Sequence, residues 1–117
     1  QFLEMCRKAA EIIVSPVTFL EMHNTLKRLF VENKIDAEKH RLLANAINKD
    51  FEHFKKVNWD VVLENECLYF VNKYQLKSLD IIQMASAKKA GFDQFVTSDK
   101  QQYAIAKKEF KGAVHII

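Results

Sequence analysis

The sequence predicts a helix-rich α/β fold, a small parallel sheet flanked by helices. Two observations carry this. Short β-branched or aromatic runs (Ile12–Val14, Phe95–Thr97, Val114–Ile117) are separated by longer segments whose apolar residues recur at helical spacing. Only 2 Gly and 1 Pro, beside a hydrophobic share of 49%, leave little chain for loops or disorder. Strands that alternate with helices pair in parallel through helical crossovers. Three strands are few for such a sheet.

The elements follow in order. Phe2, Leu3, Cys6, Ala9 and Ala10 keep helical spacing with no capping residue ahead of them. The 117 residues are therefore expected to form one domain, 1–117, that is incomplete at its N-terminus. After the first strand, Ser15 is expected as N-cap and Pro16 as the first helical residue. Phe19, Met22, Leu26, Leu29 and Phe30 make the apolar stripe of that helix, with Glu21 off its centre beside Thr18, Thr25 and Arg28. Asp36 caps a helix that buries Leu43, Ala46, Ile47, Phe51 and Phe54. The next starts near Asn58, with Trp59, Val62, Leu63, Cys67, Phe70, Val71 and Tyr74 at helical intervals. The short link Lys55-Lys56-Val57 predicts that these two helices form an antiparallel hairpin.

The run from Lys77 to Asp99 organises the rest. Ser78 is the expected N-cap, Asp80 lies in the first turn, Lys88 and Lys89 in the last, and Gly91 just beyond. A short strand through Phe95, Val96 and Thr97 ends at Asp99, on the rim where open α/β sheets bind ligands. A helix from about Lys100 to Phe110, stopped by Gly112, leads to the last strand.

Composition narrows the chemistry. The net charge of +3 permits a nucleic-acid partner without demanding one. Cys6 and Cys67 are too few for a disulfide framework and predict reduced, buried thiols in a cytoplasmic protein. No apolar run approaches the length of a membrane span. The four histidines (His23, His40, His53, His115) lack metal-ligand spacing, no glycine-rich phosphate loop occurs, and Ser98 lacks nucleophile-elbow glycines.

Three acids remain, Glu21, Asp80 and Asp99. Carboxylates ~5 Å apart repel by ~3 kcal/mol at an effective dielectric of 20, so converging acids hold a proton or bind a cation. Oxygen ligands suit Mg²⁺ or Mn²⁺, which support in-line displacement at phosphorus. The plainer alternative stands beside this: single acids at such places are helix caps or solvated charges. Lys73, Lys77 and Lys100 flank the region, as phosphate contacts or as solubility charges.

Ser15-x-x-Thr18-x-x-Glu21, the Leu26-Lys27-Arg28-Leu29 block, Ser78-Leu-Asp80-Ile-Ile-Gln-Met-Ala-Ser-Ala87 and Phe95-Val-Thr97-Ser-Asp99-Lys100 resemble, in order, the PIN domain. The likeness is greatest to the toxin ribonucleases of prokaryotic VapBC toxin–antitoxin pairs. It implies a PIN-like fold and a metal-dependent endoribonuclease with Glu21, Asp80 and Asp99 at a Mg²⁺/Mn²⁺ site. Thr97 matches the supporting hydroxyl and Arg28 a phosphate contact. It also implies RNA as substrate and a cognate antitoxin as partner, and leaves a homodimer open. The family opens with a strand, inside the sheet, that ends in a further metal-site Asp. No such strand precedes the first helix here, and Glu4 is no substitute. The alternative function is therefore a catalytically inactive PIN-like module that binds RNA or protein.

Overall fold

Backbone ladders and helix caps divide the chain into six helices and four strands in the computed structural model, which describes residues 2–117. In order these are α1 (Phe2–Lys8), β1 (Ile13–Val14), α2 (Thr18–Val31), α3 (Ala37–Phe51) and β2 (Lys55–Lys56). Then follow α4 (Val61–Lys73), α5 (Ser78–Ala90), β3 (Gln94–Thr97), α6 (Lys100–Glu109) and β4 (Ala113–Ile116). The architecture is α/β and helix-rich, as expected. No helix among the described residues is long and apolar enough to cross a membrane.

The strands do not form one sheet. β1 pairs in parallel with β2, and β3 in parallel with β4, as two separate ladders. β2 is a strand where a plain connection was expected. Its lysines are exposed and carry no apolar alternation, so only backbone bonds define it: Lys55 N–H to Ile12 O and Val57 N–H to Val14 O, each 2.9 Å. Backbone groups alternate between the two edges of a strand. Ile12 and Val14 face β2, so the groups of Ile13 face the other edge of β1. Asp93 and Thr97 face β4, so those of Gln94 and Val96 face the other edge of β3. Among the described residues neither of these edges meets a strand.

One core nevertheless serves both ladders. Leu63 and Phe70 of α4 and Met84 and Ala85 of α5 are fully buried, with Ile105 and Ala106 of α6 against them. Ile13, Phe95 and Val114, from three different strands, pack on this cluster. Burying a side chain such as Leu63 or Phe70 contributes about 1.5–3 kcal/mol. Lys55–Lys56 stands between α3 and α4, and the expected hairpin of those two helices does not form. α3 packs on α2 and α4 on α5. α3 buries none of its residues fully: Leu43 and Ala46 are exposed, while Ile47 and Phe51 are half-buried, as is Phe54 beyond the helix end. In α4, Val62 and Val71 are exposed, and Trp59, ahead of the helix, is 54% exposed and outside the core. Both thiols are half-buried rather than buried, and burial pushes that of Cys67 up.

Caps account for most boundaries. Asp36 accepts from Lys39 N–H at 2.7 Å, as expected. Asp60, not Asn58, caps α4 by accepting from Leu63 N–H at 2.9 Å. Ser15 does not cap α2. Pro16 and Val17 form a turn, and the Ser15 hydroxyl meets that of Thr18 at 2.8 Å. Ser78 is already helical because the extended residue is Lys77 (ψ 152°), whose side chain makes no cap. Gly91 ends α5 at φ +68°, which L side chains rarely adopt. Gly112 is required by space, since a Cβ there would stand 2.9 Å from the carbonyls of Phe92 and Asp93.

A polar tie fastens the end of α6 to α4. The Glu109 carboxylate, its side chain 6% exposed, accepts from Tyr69 (2.8 Å) and Tyr74 (2.6 Å) and pairs with Lys73 (2.9 Å). Burial alone would raise its pKa. The hydrogen bonds from Tyr74, Lys73 and Tyr69 outweigh burial and bring it down to about 2. Hydrogen bonds with Tyr69, first, and Glu109 hold Lys73 well above the usual lysine range.

Leu63→Ala is expected to cost 2–5 kcal/mol, roughly, in urea unfolding, because the site cannot collapse around the deletion. A folded pKa below the ordinary 4.5 gives stability that is present above pH 4.5 and lost as pH falls toward about 2. Glu109→Gln should therefore be less stable than the parent by about 2–3 kcal/mol at pH 7. Urea unfolding at pH 7, 4.5 and 2.5 should show the gap narrowing over the last interval.

Candidate functional site

Three elements deliver the acids to one rim. Glu21 lies in the first turn of α2, Asp80 in the first turn of α5, and Asp99 at the junction of β3 and α6. Asp80 and Glu21 are half-buried and Asp99 is exposed. Asp99 Oδ1 accepts from Gln102 N–H at 2.8 Å, which caps α6. Asp99 N–H donates to Thr97 Oγ at 3.1 Å, so the buried hydroxyl at the strand end holds the acid's backbone.

Two glutamines join the acids. Gln102, 5% exposed, accepts from the Thr97 hydroxyl at Oε1 (2.8 Å). Its Nε2 donates to Asp80 Oδ1 (3.0 Å) and to Gln83 Oε1 (2.8 Å). Gln83 Nε2 in turn donates to Glu21 Oε1. Each acid thus has one oxygen engaged by a glutamine side chain or backbone. Among the described residues, Glu21 Oε2, Asp80 Oδ2 and Asp99 Oδ2 accept no hydrogen bond from the protein.

The sequence pointed to the acids and Thr97 but missed Gln83 and Gln102. The signal was present, since Asp80-x-x-Gln83 and Asp99-x-x-Gln102 repeat one spacing at two helix starts. The second has the form of a capping box, in which the Gln side chain would return to the cap residue. Here it turns inward to Asp80 and Gln83 instead. Arg28 is exposed, two turns beyond Glu21 on α2 and about 10 Å along the axis, outside this network. Lys100 follows Asp99 and Lys77 precedes α5, both exposed. Lys73 is engaged with Glu109 and Tyr69 and belongs to the tie between α4 and α6.

The donors are carboxylate, amide and hydroxyl oxygens, a set whose chemistry fits a hard divalent cation such as Mg²⁺ or Mn²⁺ and not a soft one. Among the described residues no three acidic, histidine or cysteine side chains close up as a ligand group. The carboxylates are instead held one from another by the intervening amides.

No curated protein matches the chain with significance. The family model of the PIN domain matches residues 1–108, nearly the whole sequence. PIN domains are as a family nucleases that act on nucleic acid, generally with divalent metal ions and often within toxin–antitoxin systems. With its helix-rich α/β architecture and its acids on one rim, the chain belongs to the PIN domain family.

Proposed function

We propose that this PIN domain is a metal-dependent endoribonuclease that hydrolyses RNA phosphodiester bonds, and the toxin of a VapBC-type pair. The observation that carries the reading is the gathering of Glu21, Asp80 and Asp99 around one amide pair, each with a carboxylate oxygen left free. Glu21, Asp80 and Asp99 would hold Mg²⁺ or Mn²⁺ through those oxygens. When bound, such an ion supplies the charge that lets water attack phosphorus and stabilises the departing oxygen.

The chain's own groups do the remainder. Thr97 fixes the backbone of Asp99 and the amide of Gln102. Lys100, beside Asp99, and Arg28, farther along α2, offer exposed charges to backbone phosphates. Hydrolysis in this manner leaves a 5′-phosphate and a 3′-hydroxyl. A cognate antitoxin would place a basic side chain among the acids and displace the ion. The setting of this activity is the cytoplasm. The reading also takes the domain as N-terminally incomplete, with a further parallel strand on the free edges of β1 and β3. The outward backbone groups of Ile13, Gln94 and Val96 support that.

The test is cleavage of RNA by the full chain with Mn²⁺. Asp80→Asn and Asp99→Asn should each slow cleavage by at least about 10²-fold, the scale on which one preorganised electrostatic group acts. EDTA should abolish cleavage and excess Mn²⁺ restore it. Undiminished cutting by both variants would remove the mechanism. RNA binding without cutting in the parent chain would leave the non-catalytic module as the function.

A further inference from the structure

The glutamine pair has a direction. Asp99 N–H donates to the Thr97 hydroxyl, whose own proton must then go elsewhere, and it goes to Gln102 Oε1. With Oε1 so engaged, both N–H groups of Gln102 face away from Thr97, one to Asp80 and one to Gln83 Oε1. Gln83, now accepting at Oε1, turns its Nε2 to Glu21. A reversed Gln102 amide would set its carbonyl oxygen against Asp80 Oδ1 and leave the Thr97 hydroxyl proton facing an NH₂ group instead of an acceptor. The buried position of Gln102 makes either mismatch expensive, because an unpaired buried polar group costs about 1–3 kcal/mol. Each donor therefore sets the orientation of the next, from the β3 strand end to α2.

The choice of an amide matters as much as its direction. A lysine or arginine among three carboxylates would neutralise the site and compete with any cation. A glutamine donates the hydrogen bond yet leaves the negative charge of the acids intact. It also ties one oxygen of each carboxylate and leaves the other untied.

We propose that Gln83 and Gln102 are positioning residues that preset Glu21 and Asp80 for a divalent cation, by anchoring one oxygen of each through an amide chain that Thr97 orients. This rests on the metal-binding reading of the three acids. It adds that cation affinity is set by two uncharged side chains that need not touch the ion. Outer partners of this kind typically change metal affinity by about 10–100-fold when removed.

The test is calorimetric titration of the full chain with Mn²⁺ alone, with thermal unfolding of each variant in EDTA. Gln83→Met and Gln102→Met, near in length but without donors, should each weaken Mn²⁺ binding at least about tenfold. Gln83 is only half-buried, so Gln83→Met should melt close to the parent and decides the matter if Gln102→Met does not fold. Asp80→Asn is the control that should lose the ion. A folded Gln83→Met that binds Mn²⁺ as tightly as the parent overturns the amide chain while the metal-binding reading stands. A parent chain that takes up no Mn²⁺ overturns both.

Discussion

A buried primary amide has to satisfy a carbonyl and two N–H groups at once, and Gln102 does so by reaching three elements. Its backbone begins α6, its carbonyl is held by the last residue of β3, and its N–H groups end on α5. None of these bonds can be lost without stranding a polar group where water does not easily replace the partner. The consequence is geometric. The start of α5 and the start of α6 are bound to one another through polar side chains, independently of the apolar core beneath. Gln83 extends the same constraint to α2. The acids are fixed in relation to one another because the amides between them have nowhere else to go.

The apolar core and the tie at Glu109 act on the same helices from other sides. Met84 and Ala85, directly after Gln83, anchor α5, and Ile105 and Ala106 anchor α6 one turn beyond Gln102. At the far end of α6, Glu109 is bonded to two tyrosines and a lysine of the α4 region. α6 is therefore fixed at its N-terminus by the amide, along its middle by burial, and at its C-terminus by a charge-assisted cluster. A helix so held gives Asp99 little freedom to swing, although its side chain is exposed. The two parallel ladders contribute less. Two-stranded sheets are weak alone, and here both lean on helices α4, α5 and α6 through Ile13, Phe95 and Val114.

Where local chemistry decided the structure, the sequence was readable. Asp36 and Gly91 act at the boundaries their residue types announced, and Leu63 and Phe70 are in the core that their spacing implied. Where tertiary context decided, it was not. β2 consists of two exposed lysines whose strand character comes wholly from the neighbouring chain, so no pattern in the side chains could show it. That hidden strand separates α3 from α4, which is why a short link misled the pairing of helices. Trp59 kept the period of α4 but sits before its cap, and periodicity has no bearing outside the helix. Among the described residues every helix start carries a carboxylate, so position alone did not single out these acids; the runs around them, which resemble those of the PIN domain, did. The glutamines were not singled out, since a Gln in a first turn reads as an ordinary helix former until its burial is known.

For Asp99, capping a helix does not exclude a part in a site, and the reason generalises across the rim. A carboxylate has two oxygens. Capping α6 uses Oδ1 of Asp99, with Gln102 N–H at 2.8 Å, and leaves Oδ2. The hydrogen bond from Gln102 uses Oδ1 of Asp80, and that from Gln83 uses Oε1 of Glu21. In each case the structural bond removes the freedom of the group without consuming its capacity to accept. A carboxylate anchored in this way loses less entropy when a cation arrives than one that must first be ordered. The bland reading of each acid, as a local structural group, thus supplies the preorganisation on which the chemical reading depends.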